Sequence, residues 1–332
     1  MSAATASTTA TATTTNARAM RDGSVARARG RGASVRVGRG RRGTCGRARG
    51  RASSGTSPRA MASPRGDATW RGSEEAPMGT TRRAAEAFVA RWEAMGATPS
   101  ASLEPELASL RPREGAEANL RVENAVYENE TFRKMHCELA WGDGGFEVLH
   151  VVMYPWAERA APVFAADVVG FGGRVSLCIA DVAPVTADLS LPKMYEDALT
   201  PELERALERG LVRRELPDWG RAILGPLCLC VGPKVDDGAQ SEVDAFFEYA
   251  FTLHDAHCEL ASSTTLRLPA EDDSALVAQT RFCDRQLENV KTRRALERAF
   301  GPELTDRYMR HVLFDVTSST PRSHARASSI GL

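Results

Sequence analysis

Between residues 119 and 182 the chain alternates five times between strand-like runs and breaks too short to contain a helix. The runs are Asn119–Tyr127, Phe132–Trp141, Phe146–Tyr154, Val163–Gly170 and Arg174–Val182. The breaks are Glu128–Asn129–Glu130, Gly142–Asp143–Gly144–Gly145, the stretch from Pro155 to Pro162, and Gly170–Phe171–Gly172–Gly173. Parallel neighbours need a crossover of a dozen or more residues, so these runs should pair antiparallel as a meander. The third and fourth are apolar at both odd and even positions, the pattern of a sheet covered on both sides. Gly170–Phe171–Gly172–Gly173 joins two strands and opens no helix, so it reads as a hairpin turn and not as a dinucleotide fingerprint.

Helical periodicity flanks this region. Residues 81–95 place apolar side chains at helical spacing and end at Gly96, and Ser241–Ala261, Asp272–Phe300 and Pro302–Phe314 are long and periodic. Ala222–Val231 and part of 210–216 are candidates for further strands. The order of helix, strand meander and helices predicts an α/β chain: a three-layer α/β/α sandwich with a central antiparallel sheet.

Charge divides the chain more sharply than its zero formal total suggests. Of 43 basic and 43 acidic residues, the first 66 positions hold fourteen arginines and one acid, Asp22, leaving the remainder strongly acidic. That first segment is almost wholly Ala, Ser, Thr, Gly and Arg, and cannot bury enough apolar surface to offset the entropy of ordering. Residues 1–66 are expected to be a disordered transit peptide. The hydroxylated start favours plastid (chloroplast stroma) delivery, with cleavage between Arg51 and Trp70. The competing reading is a nucleic-acid-binding tail, which the lack of interleaved Phe or Tyr disfavours. Residues 67–115 should form an N-terminal helix and linker, 116–317 the functional domain (core about 80–317), and 318–332 a disordered tail. No stretch has the roughly 18 uninterrupted apolar residues of a membrane span.

Among the familiar motifs, no P-loop, GxSxG, HExxH or paired CxxC occurs. The seven cysteines are Cys45, Cys137, Cys178, Cys228, Cys230, Cys258 and Cys283, an odd number that suggests free thiols. Cys228 and Cys230 alternate within an apolar run and read as small core residues. His254, His257 and Cys258 lack a second ligand cluster of zinc spacing.

The informative charges fall inside the strands. His136 and Glu138 are two apart and share a face; His150 lies among Val148, Leu149, Val151 and Val152; Asp167 lies among Ala165, Ala166, Val168 and Val169. Such groups are costly to bury unless paired. Each alone is readily explained as structural, and Asp181 in particular reads as a strand-end cap. Together, adjacent antiparallel strands can bring Glu138, His150 and Asp167 to one face as an acid/base cluster of low dielectric.

Seven segments then carry a resemblance: FRKMHCELA (132–140), VLHVVMYP (148–155), PVFAADVVG (162–170), SLCIADVAP (176–184), RELPDWG (214–220), KTRRALERAFG (291–301) and RYMRHVLFD (307–315). In this order they resemble the ferredoxin-dependent bilin reductases, within them the phycocyanobilin-forming branch, from about Ala116 to Val316. The resemblance implies the α/β/α sandwich again. It also implies reduction of biliverdin IXα with electrons from reduced ferredoxin, no bound flavin, haem or metal, and a monomer that binds neither nucleic acid nor membrane.

It further implies roles by position. Asp167 resembles the central acid that protonates the bilin, His150 its proton-sharing partner, and Glu138 the acid beside the D-ring vinyl group. His136 resembles a supporting residue of the network. Arg214 and Lys291 resemble propionate clamps, suited to charge-assisted hydrogen bonds, and Trp219 and Asn289 resemble pocket-lining residues. One position departs: relatives commonly carry an Asp where this chain has Val290, which leaves phytochromobilin- or phycoerythrobilin-type products open. Ferredoxin is acidic, as is this chain beyond residue 66, so docking calls for a local basic patch drawn from Lys291, Arg293, Arg294, Arg298, Arg307, Arg310 and His311. A bilin carrier without chemistry is the alternative from another class, but a carrier needs no set of three buried proton donors. A nucleic-acid protein led by the Arg-rich segment is a weaker third.

Overall fold

The structure is a computed structural model that describes residues 75–234 and 238–319. The expected transit peptide, residues 1–66, and the tail beyond residue 319 lie outside the described residues.

Helix α1 (Thr80–Ala94) leads into a two-residue strand β1 (Thr98–Pro99), a single turn α2 (Pro105–Ala108) and a two-residue strand β2 (Ser109–Leu110). The five expected runs follow as β3 (Leu120–Glu128), β4 (Phe132–Gly142), β5 (Phe146–Pro155), β6 (Val163–Phe171) and β7 (Arg174–Ala183). Next come α3 (Lys193–Glu208), α4 (Asp218–Arg221), β8 (Leu229–Val231), α5 (Ala239–Ala261), α6 (Ser274–Leu287), α7 (Val290–Phe300) and α8 (Pro302–Tyr308), which continues as a π-helical turn, Met309–Leu313. All strand pairs are antiparallel, in the order β1-β3-β4-β5-β6-β7-β8, with β2 also on β3.

Strand alternation splits the core into two apolar layers. Met135, Cys137, Leu149, Val151, Phe164, Ala166, Cys178 and Ala180 pack against α1, α3 and α5. Val152, Tyr154, Ala165, Ile179 and Cys230 pack on the opposite face with Phe282, Leu296, Phe300, Tyr308 and Met309. The three-layer sandwich is thus the direct consequence of period-two strands that are apolar at both parities. Gly172 and Gly173 take positive φ (62° and 75°) in the β6–β7 turn, as a tight hairpin requires.

Several boundaries differ from expectation for local reasons. Asp272–Phe300 is two helices: the Asn289 side chain accepts from Lys291 N and caps α7, so the chain restarts there. Of Ala222–Val231 only β8 is strand, because Gly225 and Pro226 interrupt it, and 210–216 contributes one isolated bridge, Arg213 to Val231. Helix α3 went unanticipated because Pro201 masks it, although Tyr195, Leu199, Leu203 and Ala206 keep helical spacing on its buried side.

His254 and His257 serve the first layer. Trp92 Nε1 donates to His254 Nε2 at 3.0 Å, and the Tyr195 hydroxyl meets His257 Nδ1 at 3.0 Å, joining α1, α3 and α5. Among the described residues no group of three His, Cys, Asp or Glu could hold a metal, the six cysteines are free thiols, and no helix is long and apolar enough to cross a membrane.

Asp181 behaves as a tie between β7 and the following loop. It is fully buried, and Oδ2 accepts from Gly225 N at 2.9 Å. Burial pushes its carboxyl up to about 7, against the pull of that N–H. An unfolded Asp ionises near 4, so this group withdraws stability as pH rises from about 4 to about 7 and then levels off. Asp181→Asn keeps an acceptor for Gly225 and removes the titration. Urea denaturation is expected to show its stability relative to wild type rising across that window, by on the order of 2–4 kcal/mol. A difference that stays flat contradicts this assignment.

Candidate active site

The register of the sheet aligns the ionisable residues. Asn124 pairs with Glu138, Glu138 with His150, His150 with Asp167, Asp167 with Ile179, and Ile179 with Cys230. Directly opposed residues have side chains within about 4.5–5.5 Å. The row therefore runs straight across six strands on the face covered by α6, α7 and α8.

Within it His150 Nδ1 lies 2.6 Å from Asp167 Oδ1. Burial opposes a charge on His150, but the Asp167 carboxylate and its hydrogen bond outweigh it, so His150 is raised above the ordinary imidazole range. His150 is buried while the Asp167 side chain is 25% exposed, so the row opens toward solvent at Asp167. Burial pushes the Glu138 carboxyl up, against the His150 charge and the Tyr308 hydroxyl, which lies 2.5 Å from Oε2. His136, fully buried, places Nε2 2.8 Å from Asn124 Oδ1. Burial, then the charges of Lys134 and His150, hold it well below its usual range. The His136 and His150 rings stand 5.9 Å apart, and each keeps one buried nitrogen, His136 Nδ1 and His150 Nε2, without a protein partner.

The strip thus holds a carboxyl whose burial favours the protonated form, an imidazole paired to a carboxylate, and an imidazole whose burial favours the uncharged form. It offers protons at separate points along a length of roughly 10 Å, two strand spacings. That suits an extended, flat substrate with more than one protonation site.

The cover is built by a bulge. Register slips between Phe132 and Lys134, so Arg133 and Lys134 both reach Asp315. Arg133 is bidentate to it at 2.7 and 3.2 Å and also donates to Gln279 Oε1. Lys134 Nζ donates to Val312 O at 2.5 Å. Phe314 thereby rests against His150, ring centres 6.3 Å apart. Breaking a buried pair of this kind costs about 3–5 kcal/mol, so the C-terminal segment is pinned over the row.

Four of the eight expected site residues, Glu138, His150, Asp167 and His136, come together. Arg214 borders the end of the row: its N donates to Cys230 O at 2.7 Å, while its exposed guanidinium reaches Ser176 O. Trp219, on α4, is half-buried against the second apolar layer. Asn289 and Lys291 sit at the α6–α7 junction, the first as a helix cap. Lys291 instead lines an open groove of about 500 Å³ with Arg113, Glu117, Arg294, Glu297 and Arg298. Val290, where the resemblance led to an expected Asp, is 56% exposed. Sequence reasoning missed Asn124, Tyr308 and the Arg133/Lys134–Asp315 clamp. Lys134 had a signal, since 134, 136 and 138 alternate polar on one face. Tyr308 had none, because its partner lies 170 residues away.

Residues 85–315 match the family model described as ferredoxin-dependent bilin reductase. Over 234 residues the chain is 36% identical to phycocyanobilin:ferredoxin oxidoreductase from a Synechococcus species, covering 70% of this chain and 90% of that protein, and equally to the Synechococcus elongatus protein. It is 35% identical over 196 residues to the same-named protein of Trichodesmium erythraeum, covering 59% of this chain and 77% of that one. The crystal structure of tomato phytochromobilin synthase in complex with biliverdin superposes with a TM-score of 0.53 at 17% identity, over 67% of this chain and 78% of that one. At that identity the likeness concerns the fold.

Because Asp167 supplies the foremost charge and hydrogen bond that raise His150, Asp167→Asn should leave burial and Lys134 opposed only by Glu138. Ring ¹⁵N NMR is expected to find His150 titrating above about 6.5 in the native protein and below it in the variant. An unmoved titration means that Asp167 does not govern the histidine.

Proposed function

Since the chain belongs to the ferredoxin-dependent bilin reductases, we propose that it reduces biliverdin IXα to phycocyanobilin by proton-coupled one-electron steps through bilin radicals. The reaction takes four electrons and four protons, as two successive two-electron reductions. Ferredoxin supplies each electron from outside. The protein holds the pigment, excludes water and decides where each proton lands.

The observation that carries this reading is the register-matched row. Asp167, the most exposed member, meets the pyrrole nitrogens or lactam oxygens of the bilin, and His150 shares and restores its proton. Glu138, two strands away, protonates the D-ring vinyl group first; the A-ring side follows. His136 supports the network. Arg214 and Lys291 are the exposed cations available to the two propionates, with Trp219 and Asn289 at the periphery. The enzyme acts as a monomer in the plastid stroma after loss of residues 1–66. The acid-poor, hydroxylated composition of that segment supports this address, and a fluorescent fusion of residues 1–70 left in the cytosol would refute it.

The basic groove suits ferredoxin. Arg293 pairs with Asp306, Arg307 with Glu104 and Glu106, Arg310 with Asp306, and His311 with Glu104. Arg294 and Arg298, beside Lys291 in the groove, make no ion pair with described residues and remain for an acidic partner. Association is therefore expected to weaken as salt rises. Affinity indifferent to ionic strength would exclude this docking mode.

Anaerobic incubation with biliverdin and reduced ferredoxin, followed by pigment chromatography, tests the function. Phycocyanobilin is the expected product; a phytochromobilin- or phycoerythrobilin-type product would redirect the reading to a sister activity, and unchanged biliverdin would indicate a carrier. Asp167→Asn should lose turnover by roughly 100-fold or more with pigment binding largely kept. Glu138→Gln should stall or redirect the vinyl step. A wild-type rate in the first variant, or an unaltered product mixture in the second, contradicts the corresponding role.

A further inference from the structure

We propose that Asn124 is a positioning residue for this chemistry: acting through the hydroxyl of Tyr308, it keeps the Glu138 carboxyl protonated before reaction. The inference rests on the reading of Glu138 as a proton donor, and extends it to two residues outside the eight first singled out.

The argument is a count of hydrogens. Asn124 is buried on β3, directly across from Glu138. Its Nδ2 donates to Leu107 O at 2.8 Å. A carbonyl can only accept, so the amide has one orientation and presents Oδ1 to the row. Two groups reach that oxygen at 2.8 Å, His136 Nε2 and the Tyr308 hydroxyl. An amide oxygen has two lone pairs and no hydrogen. His136 therefore carries its hydrogen on Nε2, and Tyr308 directs its single hydrogen to Asn124.

The Tyr308 oxygen also lies 2.5 Å from Glu138 Oε2. Two oxygens at that separation need a hydrogen between them, and Tyr308 has no second one. The Glu138 carboxyl supplies it. Every contact in the chain Glu138–Tyr308–Asn124–Leu107 is then satisfied, and His136 is held as a neutral tautomer. If Glu138 is ionised, Tyr308 must swing its hydrogen to the carboxylate. Asn124 Oδ1 and the Tyr308 oxygen would then face each other at 2.8 Å with nothing between, which penalises the ionised state.

The other groups facing Glu138 divide. Burial and Asp167 from β6 favour its retention, while His150 from β5 and a hydrogen bond from Tyr308 draw the proton away; Asn124, by accepting the Tyr308 hydrogen, withdraws that last opposing contact. Lys134 and Asp315 lie beyond the histidines, and His136 remains uncharged on the same strand.

Infrared spectroscopy of the full-length, pigment-free protein tests this. The band of a protonated carboxyl that disappears in Glu138→Gln identifies Glu138. It should be present in the native protein at neutral pH. Asn124→Ala frees the Tyr308 hydrogen for the carboxylate, so the pH at which the band is lost should fall by about one unit, roughly tenfold in proton affinity. Tyr308→Phe removes the only route, so adding Asn124→Ala to it should move the titration no further. An ionised Glu138 in the native protein overturns the proposal whatever the variants do. So does a titration that ignores Asn124→Ala in the native background, or one that shifts equally with Phe at position 308. If Asn124→Ala does not fold, the native band decides. None of these readouts needs ferredoxin or biliverdin, so failure of the reductase reading and failure of this one are distinguishable.

Discussion

A hydrogen-bonded imidazole and carboxylate, His150 and Asp167, face each other across two strands in the middle of a sheet whose two sides are both covered. Burying either group alone would cost several kcal/mol. Their pairing makes the burial tolerable and keeps a proton within reach. Antiparallel register extends this contact into a row: the same alignment that sets His150 against Asp167 sets Glu138 against His150 and Asn124 against Glu138. One slip of a single residue in β5 would turn His150 into the opposite layer, among Leu149 and Val151. The arrangement of the row thus depends on strand register more than on any loop.

The two helical layers do different work. The layer of α1, α3 and α5 is apolar and aromatic, with Phe88 on α1 meeting Phe251, His254 and the β6 residue Phe164, and with Trp92–His254 and Tyr195–His257 hydrogen bonds between its helices. It holds the sheet rigid from behind. The layer of α6, α7 and α8 brings the polar partners: Tyr308 for Glu138, Asp315 for Arg133 and Lys134, and Gln279 for Arg133 and Pro155 O. A rigid back and a polar front suit a surface that must keep donors in place while a large planar molecule is worked upon.

The sheet was legible because its signals are local. Alternation, and breaks marked by Gly, Asn or Pro, located each of the five long strands to within one residue, and antiparallel pairing made it possible for Glu138, His150 and Asp167 to share one face. The helices were less legible where a Pro or a side-chain cap broke the period: Pro201 concealed α3, and Asn289 divided one expected helix into α6 and α7. The assembly of the site resisted sequence reading where partners are remote. Nothing near Glu138 announces Tyr308, and a bulge at Arg133, which turns two successive cations to the same side, has no reliable signature in composition. Asn289 and Lys291, named by resemblance, carry a structural feature the motif alone does not announce: the Asn289 side chain caps α7 by accepting from Lys291 N.

Crystallographic placement of biliverdin on this protein would probe the central claim most directly. The pigment should lie against the sheet on the side of α6, α7 and α8, with the Asp167 and Glu138 carboxyl groups both within hydrogen-bond reach of it, at different rings. A pigment bound on the opposite face of the sheet, or beyond reach of both carboxyl groups, would contradict the assignment of this row as the reactive surface.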